Sequence, residues 1–168
     1  IINNRELRAW FLTGQHGQVL LQTKFTPFIV TFIERNTHNT FLYSFQAVRL
    51  ESNLDSNKCD STKCIHVKRS LNIKIGQHLV MKGAVSENGS TLTRAYTPIS
   101  GSELSSVGCF KMLVKLYEDG KMSKFIRNLK VGDIVEWRGP YGDFQYQPNR
   151  HKHLLMICAG TGIAPMYP

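Results

Sequence analysis

Cysteine is scarce in this sequence, with four in 168 residues. Cys59, Cys64, Cys109 and Cys158 are too few and too irregularly spaced for a disulfide framework. Cys59 and Cys64 are spaced more widely than the usual zinc knuckle, with only His66 close by. No fourth ligand or compact loop accompanies them, so no metal site is expected and a reduced, intracellular protein is the simpler inference. Long apolar runs are lacking too: the longest early one, 25–33, falls far short of the ~20 residues of a spanning helix. Acidic side chains are outnumbered 12 to 21, leaving a formal charge of +9. That excess suits an acidic partner, an anionic cofactor, an anionic membrane or nucleic acid. The basic residues are spread along the chain without a compact run, so nucleic acid is not the favoured partner.

What remains is an ordinary globular composition, 42% hydrophobic and 20% charged, in a chain of one-domain size. The chain begins at Ile1 and ends in Ala-Pro-Met-Tyr-Pro straight after an apolar run. It therefore reads as a piece cut at both ends.

The order of elements follows from the pattern. Residues 1–24 have no clear period and are expected to be a lead-in of uncertain order. From 27 onward the period is two: Phe28, Val30 and Phe32 alternate with Ile29, Thr31 and Ile33, and Phe41, Tyr43 and Phe45 with Leu42, Ser44 and Gln46. A turn at 35–39 makes the two an antiparallel hairpin. Residues 51–63 are polar and lack aromatics, which predicts a loop. His78 has no acid, base or metal partner in sequence and is expected to be a structural residue. Asn88-Gly89 is a hairpin-turn signal, and Asn88-Gly89-Ser90 is a formal glycosylation sequon that a cytosol-facing protein would never use.

Further strands are expected over 109–117, 133–138 and 144–147, with a turn at 139–142 between the last two. The continuous apolar run 153–158 predicts a strand buried on both faces of a parallel sheet. Gly160-Thr161-Gly162 follows it as a nucleotide-binding βα unit would begin. Many short strands with one helix imply an antiparallel Greek-key barrel.

Two stretches carry chemistry. Arg94-Ala95-Tyr96-Thr97-Pro98-Ile99-Ser100 offers a cation, a phenol and a hydroxyl at alternate positions of an extended segment, and so on one face. Gly120-Lys121-Met122-Ser123 leads into a short helix over 124–129, with Ser123 as its expected N-cap. Free backbone N–H groups and the positive end of the helix dipole gather at such a start, which binds phosphate. A flat, polar, anionic dinucleotide lying across a barrel satisfies both.

These stretches, with Gly-Asp-x-Val-Glu-Trp-Arg-Gly-Pro-Tyr-Gly-Asp-Phe at 132–144 and Ala-Gly-Thr-Gly-Ile-Ala-Pro-Met at 159–166, resemble the FAD half of the NADH-cytochrome b5 reductase family, whose FAD-binding domain is of the ferredoxin reductase type. The resemblance runs from about Phe25 to the last residue. It implies a mainly β fold with three parts: a lead-in at 1–24, a six-stranded antiparallel FAD-binding barrel with one short helix at 25–150, and the start of a truncated α/β nicotinamide-binding domain at 151–168.

The resemblance also implies site residues. Arg94 would contact the FAD phosphates, the Tyr96 ring and hydroxyl would pack on the isoalloxazine and ribityl chain, Thr97 would sit beside the ring, and Ala95 would also be cofactor-binding. Leu113, Lys115 and Tyr117 would lie along the cofactor, and Gly120, Lys121, Met122 and Ser123 would hold the pyrophosphate. Thr161 would stand near the ring, with Gly160, Gly162 and Pro165 in the loop under the nicotinamide nucleotide. The catalytic expectation falls on Thr97 and Thr161, and no metal is implied. The connection before Gly120 is shorter than usual in the family, which leaves the adenine side less defined, and the 51–63 loop is an insertion.

The implied activity passes electrons from NADH through FAD to a haem protein such as cytochrome b5. The nicotinamide wall would lie beyond residue 168. The implied location is the cytoplasmic side of an intracellular membrane, endoplasmic reticulum or mitochondrial, with no anchor in this chain. Two other readings stand beside it. One is a flavin-binding module without turnover, and the other a basic barrel stacking single-stranded nucleic acid on Phe28, Tyr43 and Trp137.

Overall fold

The computed structural model describes residues 18–50, 64–85 and 91–167. The lead-in up to residue 17, the 51–63 loop and the Asn88-Gly89 turn lie outside the described residues. Strands β1 (Thr26–Arg35) and β2 (Thr40–Leu50) form the expected hairpin, with Phe28 opposite Ala47 and Arg35 opposite Phe41. A register shift between Val30 and Phe32 breaks the expected alternation. Phe28 and Val30 face the core, but Phe32 is 48% exposed and Ile33 packs inward in its place. An extra residue on one strand reverses the side-chain sense beyond it, which periodicity alone does not reveal.

The remaining strands are β3 (Cys64–His66), β4 (His78–Val85), β5 (Thr91–Tyr96), β6 (Cys109–Lys115) and β7 (Ile134–Tyr141). Their order is β3-β2-β1-β7-β4-β5, with β6 paired to β2, and every ladder is antiparallel. The long β2 serves two neighbours on one edge: Thr40 to Gln46 pairs with β6, and Val48 to Leu50 with the short β3. The ring closes just after β5, where Pro98 bridges Met112 and the Ile99 N–H donates to the Lys111 carbonyl at 2.9 Å. The Ser100 hydroxyl accepts from the Lys111 N–H at 3.0 Å. Six strands thus make the expected barrel and β3 is an appendage.

Inward-facing residues fill the barrel. Phe45, Phe110 and Trp137 are each at most 1% exposed, with ring centroids 5.1 Å apart in every pair, and the Phe28 ring meets Phe110 edge-on at 5.3 Å. Edge-to-face and offset contacts of this kind add to the area these large rings bury. Phe28, Tyr43 and Trp137 are therefore core residues and offer no platforms for bases. His78 lies at the start of β4 with its ring stacked on Tyr141 at 5.8 Å, a structural position as expected.

Other expectations shift. The barrel begins before residue 25: Val19 and Leu20 are buried in its core, Thr26 Oγ1 donates to the Val19 carbonyl at 2.9 Å, and the Gly139 N–H donates to the Leu21 carbonyl at 3.1 Å. Strand β6 stops at Lys115, and Leu116 turns to donate its N–H to the Asn39 carbonyl at 2.7 Å. Strand β7 continues through Gly139-Pro140-Tyr141, where a turn was expected, because Tyr141 still pairs with His78. Gly139 has φ +142, and a Cβ there would lie 2.9 Å from Leu79 Cδ2, so only glycine passes this point.

Neither 144–147 nor 153–158 is a strand. Leu155 is 84% and Ile157 80% exposed. A strand exists only through a neighbour's ladder, and among the described residues none runs beside these segments. Two further elements are a short helix α1 (Ser102–Ser106), absent from the sequence-based reading, and a 3-10 helix (Gly160–Met166) lying against β6.

Candidate functional site

Below the Pro98–Met112 bridge the barrel is closed, but along residues 91–96 no ladder joins β5 to β6. This open seam is where the motif residues collect. Across the β4–β5 ladder Arg94 stands opposite Met81 and Tyr96 opposite Leu79, and both partners are fully buried. Arg94 and Tyr96 therefore leave their strand on the same side, as alternation requires. The Tyr96 ring is half-buried and meets Trp137 edge-on at 6.2 Å. Burial pushes its phenol up to about 12, with the Arg94 charge opposing the rise. Arg94 is exposed, and its Nη1 donates to the Thr93 carbonyl at 2.8 Å.

The helix α2 (Lys121–Arg127) spans the seam. It packs against β4 and β5, where Met122 lies over Gly83. A Cβ on Gly83 would sit 2.9 Å from Met122 Sδ and 3.3 Å from the Leu92 carbonyl oxygen, so the missing side chain lets the helix approach. On the other side Ser123 reaches back to the end of β6, where its hydroxyl accepts from the Tyr117 N–H at 3.0 Å. From inside the barrel the Tyr43 hydroxyl donates to the Ile126 carbonyl at 3.2 Å.

The helix therefore starts earlier than expected, and Ser123 is not its N-cap. Gly120 holds that position without a side-chain cap, and the first ladder bond runs from the Lys124 N–H to the Gly120 carbonyl at 2.9 Å. Ser123 is buried with its hydroxyl engaged elsewhere. The N–H groups of Lys121, Met122 and Ser123 thus precede the ladder, and no side chain caps this end by a hydrogen bond. A Cβ at Gly120 would stand 2.7 Å from Ser123 Oγ, so glycine also keeps this end open.

The other expected residues fall around β6. Leu113 and Lys115 are half-buried on its outward side, while Phe110, Met112 and Val114 alternate inward. Tyr117 is 60% exposed, with the Lys115 ammonium 5.6 Å from its ring centroid. Ala95 is exposed and Thr97 half-buried, one residue before the bridge. Thr161 and Pro165 belong to the 3-10 helix that lies against β6, with Ala164 buried beneath it. The fold thus brings all thirteen expected residues to the β5–β6 seam or the elements bordering it.

Sequence reasoning missed some of the supports. Gly83 and Tyr43 hold α2 at the candidate site, and only alternation hinted that Tyr43 faces inward. Gln46 was missed as well: from the core its amide donates to the Val67 carbonyl at 3.0 Å and the Val107 carbonyl at 3.2 Å. An open cavity lies at the far end of β6, bordered by Phe41, Tyr117 and Gly120.

Known proteins place this arrangement. The family profile described as "Oxidoreductase FAD-binding domain" matches residues 61–146. Human "NADH-cytochrome b5 reductase-like" is 46% identical over 98 residues, which are 58% of this chain and 30% of that protein. "NADH-cytochrome b5 reductase 1" of Candida glabrata is 38% identical over 150 residues, 89% of this chain and 46% of that protein. The chain spans at most about half the length of these relatives. The cytochrome b5 reductase domain of Ulva prolifera nitrate reductase superposes with a TM-score of 0.66 at 26% identity, covering 90% of this chain and 58% of that one. A ferredoxin NADP+ reductase from Neisseria gonorrhoeae shares the fold, with a TM-score of 0.59 at 22% identity over 86% of this chain and 49% of that one. With a closed six-stranded barrel, an unpaired seam and an uncapped helix across it, the chain belongs to the oxidoreductase FAD-binding domain family, in its NADH-cytochrome b5 reductase group.

Proposed function

We propose that this chain is the FAD-binding part of a flavoenzyme that takes electrons from NADH and passes them to a haem protein such as cytochrome b5. One observation carries the reading: Arg94 and the uncapped start of α2 border the same unpaired seam. A forked guanidinium and uncapped backbone N–H groups bordering one seam suit a pyrophosphate, whose oxygens accept from both. The half-buried Tyr96 supplies a flat face with a polar tip for the ring and ribityl chain.

In its bound form FAD would supply the hydride and single-electron chemistry, and the protein's part is to bind, orient and exclude. Arg94 and the N–H groups of Lys121, Met122 and Ser123 would hold the phosphates. Ala95, Leu113, Lys115 and Tyr117 would line the path along the strands, and Gly120 would leave the helix end uncovered. Thr97 would fix the ring edge from β5, and Thr161, with Pro165 behind it, would approach from the 3-10 helix. The Tyr96 phenol is protonated at neutral pH, as any tyrosine is, so it can donate to a cofactor oxygen.

The charge of +9 suits an acidic haem protein and predicts salt-sensitive association. The proposed location of the whole protein is the cytoplasmic side of an intracellular membrane. The absorption spectrum of the purified chain tests the assignment. Flavin bands that stay with the protein through gel filtration support it, and a colourless chain that stays colourless after incubation with FAD rejects it.

A further inference from the structure

We propose that the solvent face of α2 and the turn that follows it form a peripheral docking surface for an anionic lipid bilayer. The proposal goes beyond the flavin reading and stands or falls without it. Between Gly120 and Gly132 the chain carries Lys121, Lys124, Arg127 and Lys130 and no acidic residue. All four are exposed, while Met122, Ser123 and Ile126 turn inward. A spacing of three sets these cations side by side along the helix and its exit, where like charges repel. No described residue forms an ion pair with any of them. Lys124 and Arg127 suit the negative end of the helix dipole, but Lys121 stands at the opposite end and Lys130 beyond the helix, so helix stability does not account for the set.

Two backbone devices add an apolar edge to this charge. Residues Lys130 to Asp133 form a turn in which the Asp133 N–H donates to the Lys130 carbonyl at 3.1 Å, and Gly132, at φ +98, lets Val131 stand at the tip. Val131 is 62% exposed. The same turn is seated on β1 at its register shift, where the Gly132 N–H donates to the Val30 carbonyl at 2.8 Å and the Val30 N–H to the Asp133 carbonyl at 2.9 Å. Just past that point Phe32 leaves the barrel and is 48% exposed. The Asp133 carboxylate folds back onto the turn, accepting from the Lys130 N–H at 2.7 Å. The next charges on β1, Glu34 and Arg35, are adjacent and opposite in sign.

A single exposed apolar side chain is ordinary, but two on hydrogen-bonded segments beside four unpaired cations make a patch. The combination matches a bilayer surface: the ammonium and guanidinium groups meet anionic headgroups, while the valine and phenylalanine enter the boundary with the acyl chains. A purely electrostatic protein partner would use the cations and leave the apolar pair in water. The bilayer uses both.

The experiment measures co-sedimentation of the whole chain with vesicles of equal parts phosphatidylcholine and phosphatidylserine, and with vesicles of phosphatidylcholine alone. Three double variants are compared with the parent: Lys124→Glu with Lys130→Glu, Phe32→Ser with Val131→Ser, and Lys74→Glu with Lys152→Glu. The last pair lies before β4 and after β7 and changes net charge as much as the first. All six side chains are exposed, and circular dichroism melts report that each variant is folded. The parent is expected to bind the mixed vesicles and not the phosphatidylcholine ones, and added salt should release it, which tests the charges without any substitution. The Lys124 and Lys130 variant should lose about tenfold or more in affinity, the serine variant about fivefold or more, and the Lys74 and Lys152 variant about twofold or less. The proposal is overturned if the parent binds neither vesicle or both alike, if the Lys74 and Lys152 variant weakens as much as the Lys124 and Lys130 one, or if the serine variant binds as the parent does. A parent that ignores vesicles and binds an acidic haem protein through Lys124 and Lys130 would give this face to a protein, and overturns the proposal too.

Discussion

The Ser123 hydroxyl accepts the Tyr117 backbone N–H at 3.0 Å, so the residue that the sequence pattern assigns to capping the helix instead fastens the helix to the end of β6. The consequence is twofold. Helix α2 is held at a fixed distance from the strand beside it, and its first N–H groups are left for something other than protein.

Removing that hydroxyl should loosen the link without opening the core. Ser123→Ala strands a part-buried donor, at a cost of about 1–2 kcal/mol. Urea unfolding should show a lower midpoint with an unchanged slope, and Ser123→Thr should recover most of the loss. A midpoint equal to the parent's in the alanine variant would mean that the contact contributes nothing.

Arg94 should matter to the cofactor and not to the fold. It is exposed, and its bond to the Thr93 carbonyl is local. Losing a charge-assisted contact to a phosphate costs about 1.5–3 kcal/mol, roughly ten- to a hundredfold in affinity. Arg94→Ala should therefore purify with a much lower ratio of flavin to protein absorbance, while the flavin-free variant and parent unfold at the same thermal midpoint. Equal flavin content in variant and parent would remove Arg94 from the site.

Tyr43 acts on the same helix from inside the barrel, where its hydroxyl donates to the Ile126 carbonyl at 3.2 Å. Tyr43→Phe keeps the ring and leaves the carbonyl short of a donor, for a loss of about 1 kcal/mol. Because the contact positions α2, FAD should dissociate faster as well. Stopped-flow release of flavin at matched temperature checks this, and release at the parent's rate would limit Tyr43 to stability alone.

The Tyr96 phenol sets an alkaline limit. Burial raises it from the ordinary value near 10 to about 12, against the pull of Arg94. The folded state therefore keeps this proton through a range where the unfolded chain has lost it. The sign follows from linkage: the contribution is whole below about pH 10 and is lost as pH rises toward about 12. Phenolate absorbance near 295 nm should show a late-titrating tyrosine that disappears in Tyr96→Phe. If the variant instead loses amplitude from the early transition, Tyr96 is not shielded.

Much of the barrel was legible in the chain. Alternation marked the β1–β2 hairpin and the inward row Phe110, Met112 and Val114, because a strand with one buried face must repeat every second residue. The motif residues from Arg94 to Ser123 were legible as candidates for phosphate and ring chemistry because their types and order suit an anionic, aromatic ligand. Other features were not. The bulge that turns Phe32 outward leaves no composition signal, and Ser123 satisfies the capping preference in sequence while another donor takes its oxygen in space. The apolar run 153–158 carries strand residues with no neighbour to pair with among the described residues.

The amino-acid order alone determined which residues could bury, which could turn and which could meet a phosphate, since those are properties of side chains and their local spacing. Only the tertiary structure decided that β5 and β6 part above Pro98, that α2 crosses the gap on Gly83 and Ser123, and that the end of β6 opens toward His38 and Arg127. Each of these depends on residues far apart in the chain meeting at a few ångströms, and closure of the barrel, which no local pattern encodes, sets those meetings.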